Sequence, residues 1–418
     1  MRSHDGPVRL NSPSAVIASV PYLLGFVPEA SLVVVLISRT GRDSAAIRLD
    51  LPDPHGSESG DSPATGEAAP MSRLGRLGLP DQVLQHVGKD ASAAVMAFGT
   101  RPVDLGPCPY ADVIDAYARR LVERGITILV KAYVHDGRWW NIAEQVDEDA
   151  PSGGGVATCL GTMGQLTGRM VLDEDGIAAA FAFADRGEKF APNRAALELR
   201  YPPCDPTHPP PPGYEALQEA VDRSRAAGTR AWTSRRAALE ASVRAAICDG
   251  QACVCPRREC ASRAPASDAA LRIALAEATI REPILQTLCL ATDRAVGRRA
   301  VQVAIGSLEA RARTAFDQSA APIFAVLAVL HWHSGNGTLA TIAAEHALSR
   351  HPQNTLASLV AQAVRQGLAP EHWSQILRRF SLAELRRGSP VAVTASPEAA
   401  MAPLQSAPGV PAPPRNQA

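Results

Sequence analysis

An apolar run at residues 31–38 and an alternating stretch at 45–51 open the readable pattern of this chain. The first has strand length and no polar face, as a central strand requires. The second alternates apolar and polar residues, as a half-exposed strand does. Turn chemistry at Arg39-Thr40-Gly41-Arg42-Asp43 lies between them, and the pair predicts a hairpin. Upstream, residues 13–19 predict a short helix with Ser12 or Ser14 as its cap. Pro21 and Pro28 bracket the dense cluster Tyr22 to Phe26 and forbid one continuous helix or strand. That segment reads as a helix end, a turn at Gly25 and entry into the strand.

Helix and strand then alternate. Residues 80–88 predict a helix and 93–98 a strand. Pro109 to Arg124 places Val113, Ala116, Tyr117, Arg120 and Leu121 at helical spacing, and Gly125 stops the helix. Residues 126–134 read as a strand, the turn His135-Asp136-Gly137-Arg138 leads to Trp139-Trp140, and a small-residue helix covers 177–186. Strands with crossover helices predict an α/β layered domain with a mixed sheet over residues 1–202. Residues 53–72, rich in Pro, Gly, Ser and acid, carry the composition of a disordered insertion, and 147–155 that of a loop.

Pro209-Pro210-Pro211-Pro212 marks 203–213 as a stiff proline-rich linker. Beyond it helical patterns cover 214–227, 230–248, 268–292, 296–316, 321–333, 338–350, 354–367 and 370–379, giving an all-α helical-hairpin domain over 214–387. Phe324, Leu327, Ala328, His331, Ala340, Ala344, Ala347 and Pro352 fall at tetratricopeptide-like spacing, but for one unit only, which a generic α-hairpin also satisfies. The end, 388–418, has the composition of a disordered tail.

Composition changes this picture little. The chain has 418 residues, 46% of them hydrophobic but only 5% aromatic, so the cores are built from Ala, Leu, Val and Ile. Net charge is zero. No basic face is concentrated enough to suggest nucleic acid as a partner. Pro21, Gly25, Pro28, Glu29 and Ser31 interrupt the apolar region Val16 to Ile37, which argues against a membrane span. Eight cysteines without a secretory signal predict reduced thiols and a cytoplasmic location.

Candidate chemistry is sparse. Cys248, Cys253, Cys255 and Cys260 could enclose zinc, yet the usual Cys-x2-Cys knuckle is missing. His331, His333, His346 and His351 are spaced for packing, since i and i+2 do not share a helix face. Phosphate-binding glycine loops and nucleophile elbows are absent, so no cofactor is implied. Gly161 to Gly168 reads as a loop, and the acidic triplets 147–149 and 173–175 as solvated turns. Trp139-Trp140 would be a recognition surface if exposed; the plainer account sends one indole into the core and the other over a sheet edge. Alternation sets Arg48 and Asp50 on one strand face, where a structural ion pair is the plain account.

Several segments together resemble an actinobacterial family, domain of unknown function 4192. They are Pro21 to Val33 with Leu49-Asp50-Leu51-Pro52; Asp136 to Trp140; Phe190-Ala191-Pro192-Asn193-Arg194; Ala321-Pro322 through Trp332 and Gly335-Asn336-Gly337; Ala347-Leu348 with Pro352; and Gly367 to Glu371. The resemblance implies kinship and no activity. The function expected is a cytoplasmic, non-catalytic protein-interaction or regulatory module with an unidentified protein partner. The alternative is an enzyme or small-ligand binder with a site at the sheet edge near the domain junction. Asp50, Arg138, Trp139, Trp140 and Arg194 form the candidate ligand or partner surface. Of the first signature only Glu29 and Ser31 could do chemistry, so Pro21–Val33 is expected to dock a helix onto the central strand.

Overall fold

The computed structural model describes residues 8, 10–37, 44–51, 91–101, 103, 108–142, 168–185, 189–248, 266–291, 295–368 and 370–388. The helix expected at 80–88, the insertion 53–72, the loop 147–155 and the tail from 389 lie outside them. The chain divides into two compact units, one of residues 1–200 with 335–342 and 363–369, the other of 201–334, 343–362 and 370–418.

The first unit is built on a mixed six-stranded sheet: β1 (Ser31–Ile37), β2 (Ser44–Asp50), β3 (Ser92–Phe98), β4 (Thr127–His135), β5 (Arg138–Asn141) and β6 (Arg169–Met170). Their order is β2-β1-β3-β4-β5-β6. Only β3 and β4 pair in parallel, and a parallel pair needs a crossover, which α2 (Ala111–Glu123) supplies. The antiparallel β4–β5 hairpin turns on Asp136-Gly137, both at positive φ (47° and 68°), as two-residue hairpin turns demand. β6 was not anticipated, nor was the short helix α4 (Arg194–Glu198), because two and five residues are too few to show a period.

Helix α1 (Pro13–Leu24) runs through Pro21 rather than stopping at 19. Proline there removes a single amide donor in the last turn, while buried Val20 and Leu24 hold that turn in place. Gly25, at φ 81°, ends the helix in the left-handed conformation. On one face of the sheet Leu32, Val34, Leu36, Val95, Tyr133 and Trp140 pack against Ile114, Tyr117 and Leu121 of α2. On the other face lies α1, and α3 (Glu174–Asp185) packs on it. Cys108, in the α2-side core, is disulfide-bonded, which departs from the expectation of thiols reduced throughout.

The second unit contains α5 (Tyr214–Ala226), α6 (Thr229–Ile247), α7 (Asp268–Ala276), α8 (Ala278–Cys289), α9 (Ala295–Ala312), α10 (Ala321–His333), α13 (Pro370–Arg378) and α14 (Leu382–Arg387). Two further helices, α11 (Gly337–Arg350) and α12 (Thr355–Arg365), have residues in both units. The pattern read as one helix over 268–292 is two, because Glu277 is extended (φ −80°, ψ 110°). Helix α10 is buried on nearly every side and forms the centre of this unit.

Buried arginines tie that centre together. Arg272 Nη1 donates to Asp317 Oδ2 at 2.6 Å and to Ser319 Oγ at 2.8 Å. Arg350 donates to the carbonyls of Pro202 (2.9 Å), Ala315 (2.8 Å) and His346 (3.1 Å), with its guanidinium 4.3 Å from the centre of the Phe324 ring. The proline-rich stretch is thereby tethered at its start, and Asp205 N donates to Phe316 O at 2.8 Å just beyond. Each charge taken out of water here faces a charge, a carbonyl or a ring face, although Arg272 Nε and Arg350 Nε are themselves buried without a partner. Burial alone would raise the Asp317 carboxyl, but hydrogen bonds from Ser319 and Arg272, with the arginine charge, hold it below its ordinary 3.8.

Two expectations follow. Asp317→Asn leaves Arg272 buried without its counter-charge and should cost about 3 kcal/mol at neutral pH. A lowered native pKa means the carboxylate stabilises above 3.8 and stops doing so as pH falls through the native value. The stability gap between wild type and variant, followed by urea unfolding, should therefore close below that pH. In the first unit, the Tyr117 hydroxyl is buried with no partner, and burial pushes its pKa to about 12. Tyr117→Phe should leave stability unchanged or raise it by about 1 kcal/mol in the same assay.

Candidate interaction surface

The sheet register places the sequence-expected residues. Asp50, Ser31, Phe98, Val134, Trp139 and Arg169 form one row across the strands. Asp50 and Trp139 are thus four strand spacings apart, roughly 19 Å. Asp50 stands on an edge strand and pairs with Arg48 at 2.5 Å, with its own side chain 81% exposed, so the pair contributes little. Arg48 Nε also donates to Ser31 Oγ at 2.7 Å, and its guanidinium lies 5.7 Å from the Phe26 ring centre. Ser31 Oγ in turn donates to Glu29 O at 2.6 Å. Arg138 is exposed and reaches Gly168 O at 3.4 Å. Arg194 begins α4 and pairs with Glu198 at 2.8 Å. Asp50 is therefore remote from Arg138, Trp139 and Trp140, and Arg194 belongs to a separate helix.

Adjacent strand residues point to opposite faces, and both faces at β5 are covered. Trp139 and Trp140 are accordingly both buried, at 3% and 7% exposure, so neither indole is a surface group. Trp140 packs beside Tyr133, ring centres 6.0 Å apart, and against Gly168. A Cβ at Gly168 would fall 2.7 Å from the indole, on a backbone already at φ 64°. Trp139 Nε1 donates to Ser14 Oγ at 3.1 Å, and Ser14 Oγ donates to Asp173 Oδ2 at 2.6 Å. Asp173 Oδ1 accepts from Gly176 N at 2.9 Å and caps α3. The chain Trp139–Ser14–Asp173 fastens β5, α1 and α3 to one another; it holds no nucleophile facing solvent.

Three of the family-like segments meet at the Gly25 corner. Ala191 N donates to Gly25 O at 2.8 Å, and Val27 N to Ala191 O at 3.1 Å. Phe26 and Ala191 form a parallel bridge. A Cβ at Gly25 would lie 3.8 Å from both Asn336 Nδ2 and Leu197 Cδ1. Asn336 caps α11 by accepting from Leu339 N at 3.0 Å, and Asn193 caps α4 by accepting from Ala196 N at 2.9 Å. Tyr22, one turn before the corner, stacks on Phe183 at 5.1 Å and meets Phe190 edge-on at 4.8 Å.

Sequence reasoning overlooked what α3 does. Its span Gly176 to Ala184 is wholly apolar, yet the helix turns only Gly176 and Ala179 fully inward. Ile177 (44% exposed) and Phe181 (71%) lie one turn apart on α3, and Met170 (50%), Leu172 (55%) and Phe190 (43%) are exposed in the segments that flank the helix in sequence. Glu174, Asp175 and Asp185 rim it. The available signal was a helix apolar around its circumference, where a surface helix normally keeps one polar face. Among the described residues no group of three or more His, Cys, Asp or Glu is placed to hold a metal, and Cys253, Cys255 and Cys260 lie outside them. No described helix is long and apolar enough to cross a membrane.

Ser14→Ala should strand the Trp139 indole N–H in the interior and remove a donor from Asp173. Urea unfolding should register a loss of about 1–3 kcal/mol, with a shift in tryptophan emission from the changed indole environment.

Comparison with curated proteins and with solved structures returned no match. The family model described as domain of unknown function (DUF4192) matches residues 13–371, which takes in the sheet, the Gly25 corner and most of the helical unit. The chain belongs to the DUF4192 family.

Proposed function

We propose that this protein is a non-catalytic protein-interaction or regulatory module. One observation carries the reading: Ile177 and Phe181, one turn apart on α3, stand in solvent on a well-packed scaffold. Single exposed apolar residues are ordinary, but an aliphatic and an aromatic side chain one helical turn apart, both exposed on one helix face, have the composition of an interface anchor. The charged groups nearby are engaged structurally. Asp173 caps α3 and binds Ser14, while Arg169 lies 5.5 Å from the Trp139 ring centre. The acidic rim of Glu174, Asp175 and Asp185 favours a protein partner with basic residues flanking its apolar contact.

The test is affinity capture from the native host with the tagged full chain, beside Ile177→Asp/Phe181→Asp. Wild type should retain a reproducible partner, and the variant at least about tenfold less. The exposed positions should leave the melting temperature within about 2 °C of wild type. Enrichment no greater than the tag alone, or equal capture by a folded variant, would remove the basis of the reading.

A further inference from the structure

We infer that the seat of α14 on helices α6 and α8 is a docking site for a partner helix, which this chain occupies with its own C-terminal helix. The inference rests on the interaction-module reading and names a second surface and the chemistry of its ligand. Helix α14 lies beyond residue 371, where the family match ends. It is a complete helical unit in itself, with a reciprocal Ser381–Glu384 capping box at its start and Gly388 in the left-handed conformation at its end.

It packs closely on α8, but few of its side chains hold it there. Leu385 is the one fully buried side chain of α14. Arg386 forks onto Glu240, at 2.7 Å to Oε1 and 3.1 Å to Oε2, and the Arg386 carbonyl accepts from Arg236 Nη1. Glu240 is also held by Arg244, at 3.0 Å, so withdrawal of Arg386 leaves no unpaired buried charge. The preceding segment is anchored separately, because Gln286 Nε2 donates to the carbonyls of Leu377 (2.7 Å) and Phe380 (2.6 Å). Release of α14 therefore needs only a hinge at Phe380-Ser381 and leaves α13 in place.

The fit is also incomplete. Two polar atoms at the seat, Arg236 Nε and Thr279 Oγ1, are buried with no partner. Thr279 is in contact with the end of α14, its Cγ2 3.4 Å from where a Gly388 Cβ would stand. Buried polar groups left unpaired are costly, and a ligand that supplies their partners gains over one that does not. The seat thus calls for a short helix with a leucine followed by an arginine, for the Leu385 and Arg386 positions, and a further acceptor for Arg236 Nε and Thr279 Oγ1. Helix α14 meets the first two requirements and not the third.

The probe is a labelled peptide of residues 380–390 added to the full chain and to its Leu385→Asp/Arg386→Glu variant, which dislodges α14 without removing it. The variant should bind the peptide saturably and wild type at least about tenfold more weakly, since its seat is filled in cis. Arg386→Glu in the peptide should abolish binding. A variant that melts like wild type and does not bind, or equal binding by both, overturns the inference. If the variant unfolds, hydrogen exchange on wild type decides. Amides of 382–388 opening at least about tenfold faster than those of α6 and α8 support a detachable helix, and equal protection refutes it. Excess peptide should also displace a captured partner that uses this seat. Capture that depends on Phe181 and ignores the peptide would refute the α14 assignment while leaving the interaction reading intact.

Discussion

A helix can hand its chain to a buried strand only if the last carbonyls of one and the first amides of the other find partners. Between α1 and β1 this constraint is met at a single corner. Gly25 takes the left-handed turn that α1 needs to end, and its carbonyl accepts from Ala191. The next residue, Phe26, bridges to the same Ala191 and offers its ring to Arg48. That arginine in turn holds Ser31 at the first position of β1. The placement of α1 over the sheet, and with it the Ser14 contact to Trp139, depends on this turn. Segments near residues 25, 191 and 336 are joined there by backbone bonds and close packing, which explains why the family-like motifs are rich in glycine, proline and asparagine and poor in reactive groups.

The helical unit solves its own constraint differently. An alanine-rich bundle has few large side chains with which to specify one arrangement, and here buried charge supplies direction. Arg272 reaches Asp317 across 45 positions of sequence, and Arg350 collects carbonyls from three separate segments. Such groups add modest net stability when whole and large penalties when broken, so they select one packing over its near competitors.

How much of this was legible follows from the range of each interaction. The β1–β2 hairpin, β3, α2 and β4 announced themselves because their periods are local and their stops, Gly125 and the Asp136-Gly137 turn, are chemically explicit. The break at Glu277 was hidden because apolar spacing continues through it. Alternation told that Trp139 and Trp140 face opposite ways; it could not tell that both faces are roofed. Asp50 and Arg138 could be assigned to strands, but the order of those strands decides their separation, and order is set by long-range pairing. The exposed face of α3 carries a compositional signal, an apolar circumference, but alanines dominate it and a helix of small residues has the same pattern.

Strand β5 is four residues long, exposed at Arg138 and Asn141 and buried at the two tryptophans between. A slip of one residue in either direction would carry Arg138 or Asn141 into the interior and push an indole into water. No neighbouring register is tolerable, so this short strand is an index mark for the edge of the sheet. It tells β6 where to begin and, through Ser14, tells α1 how far along the sheet to lie.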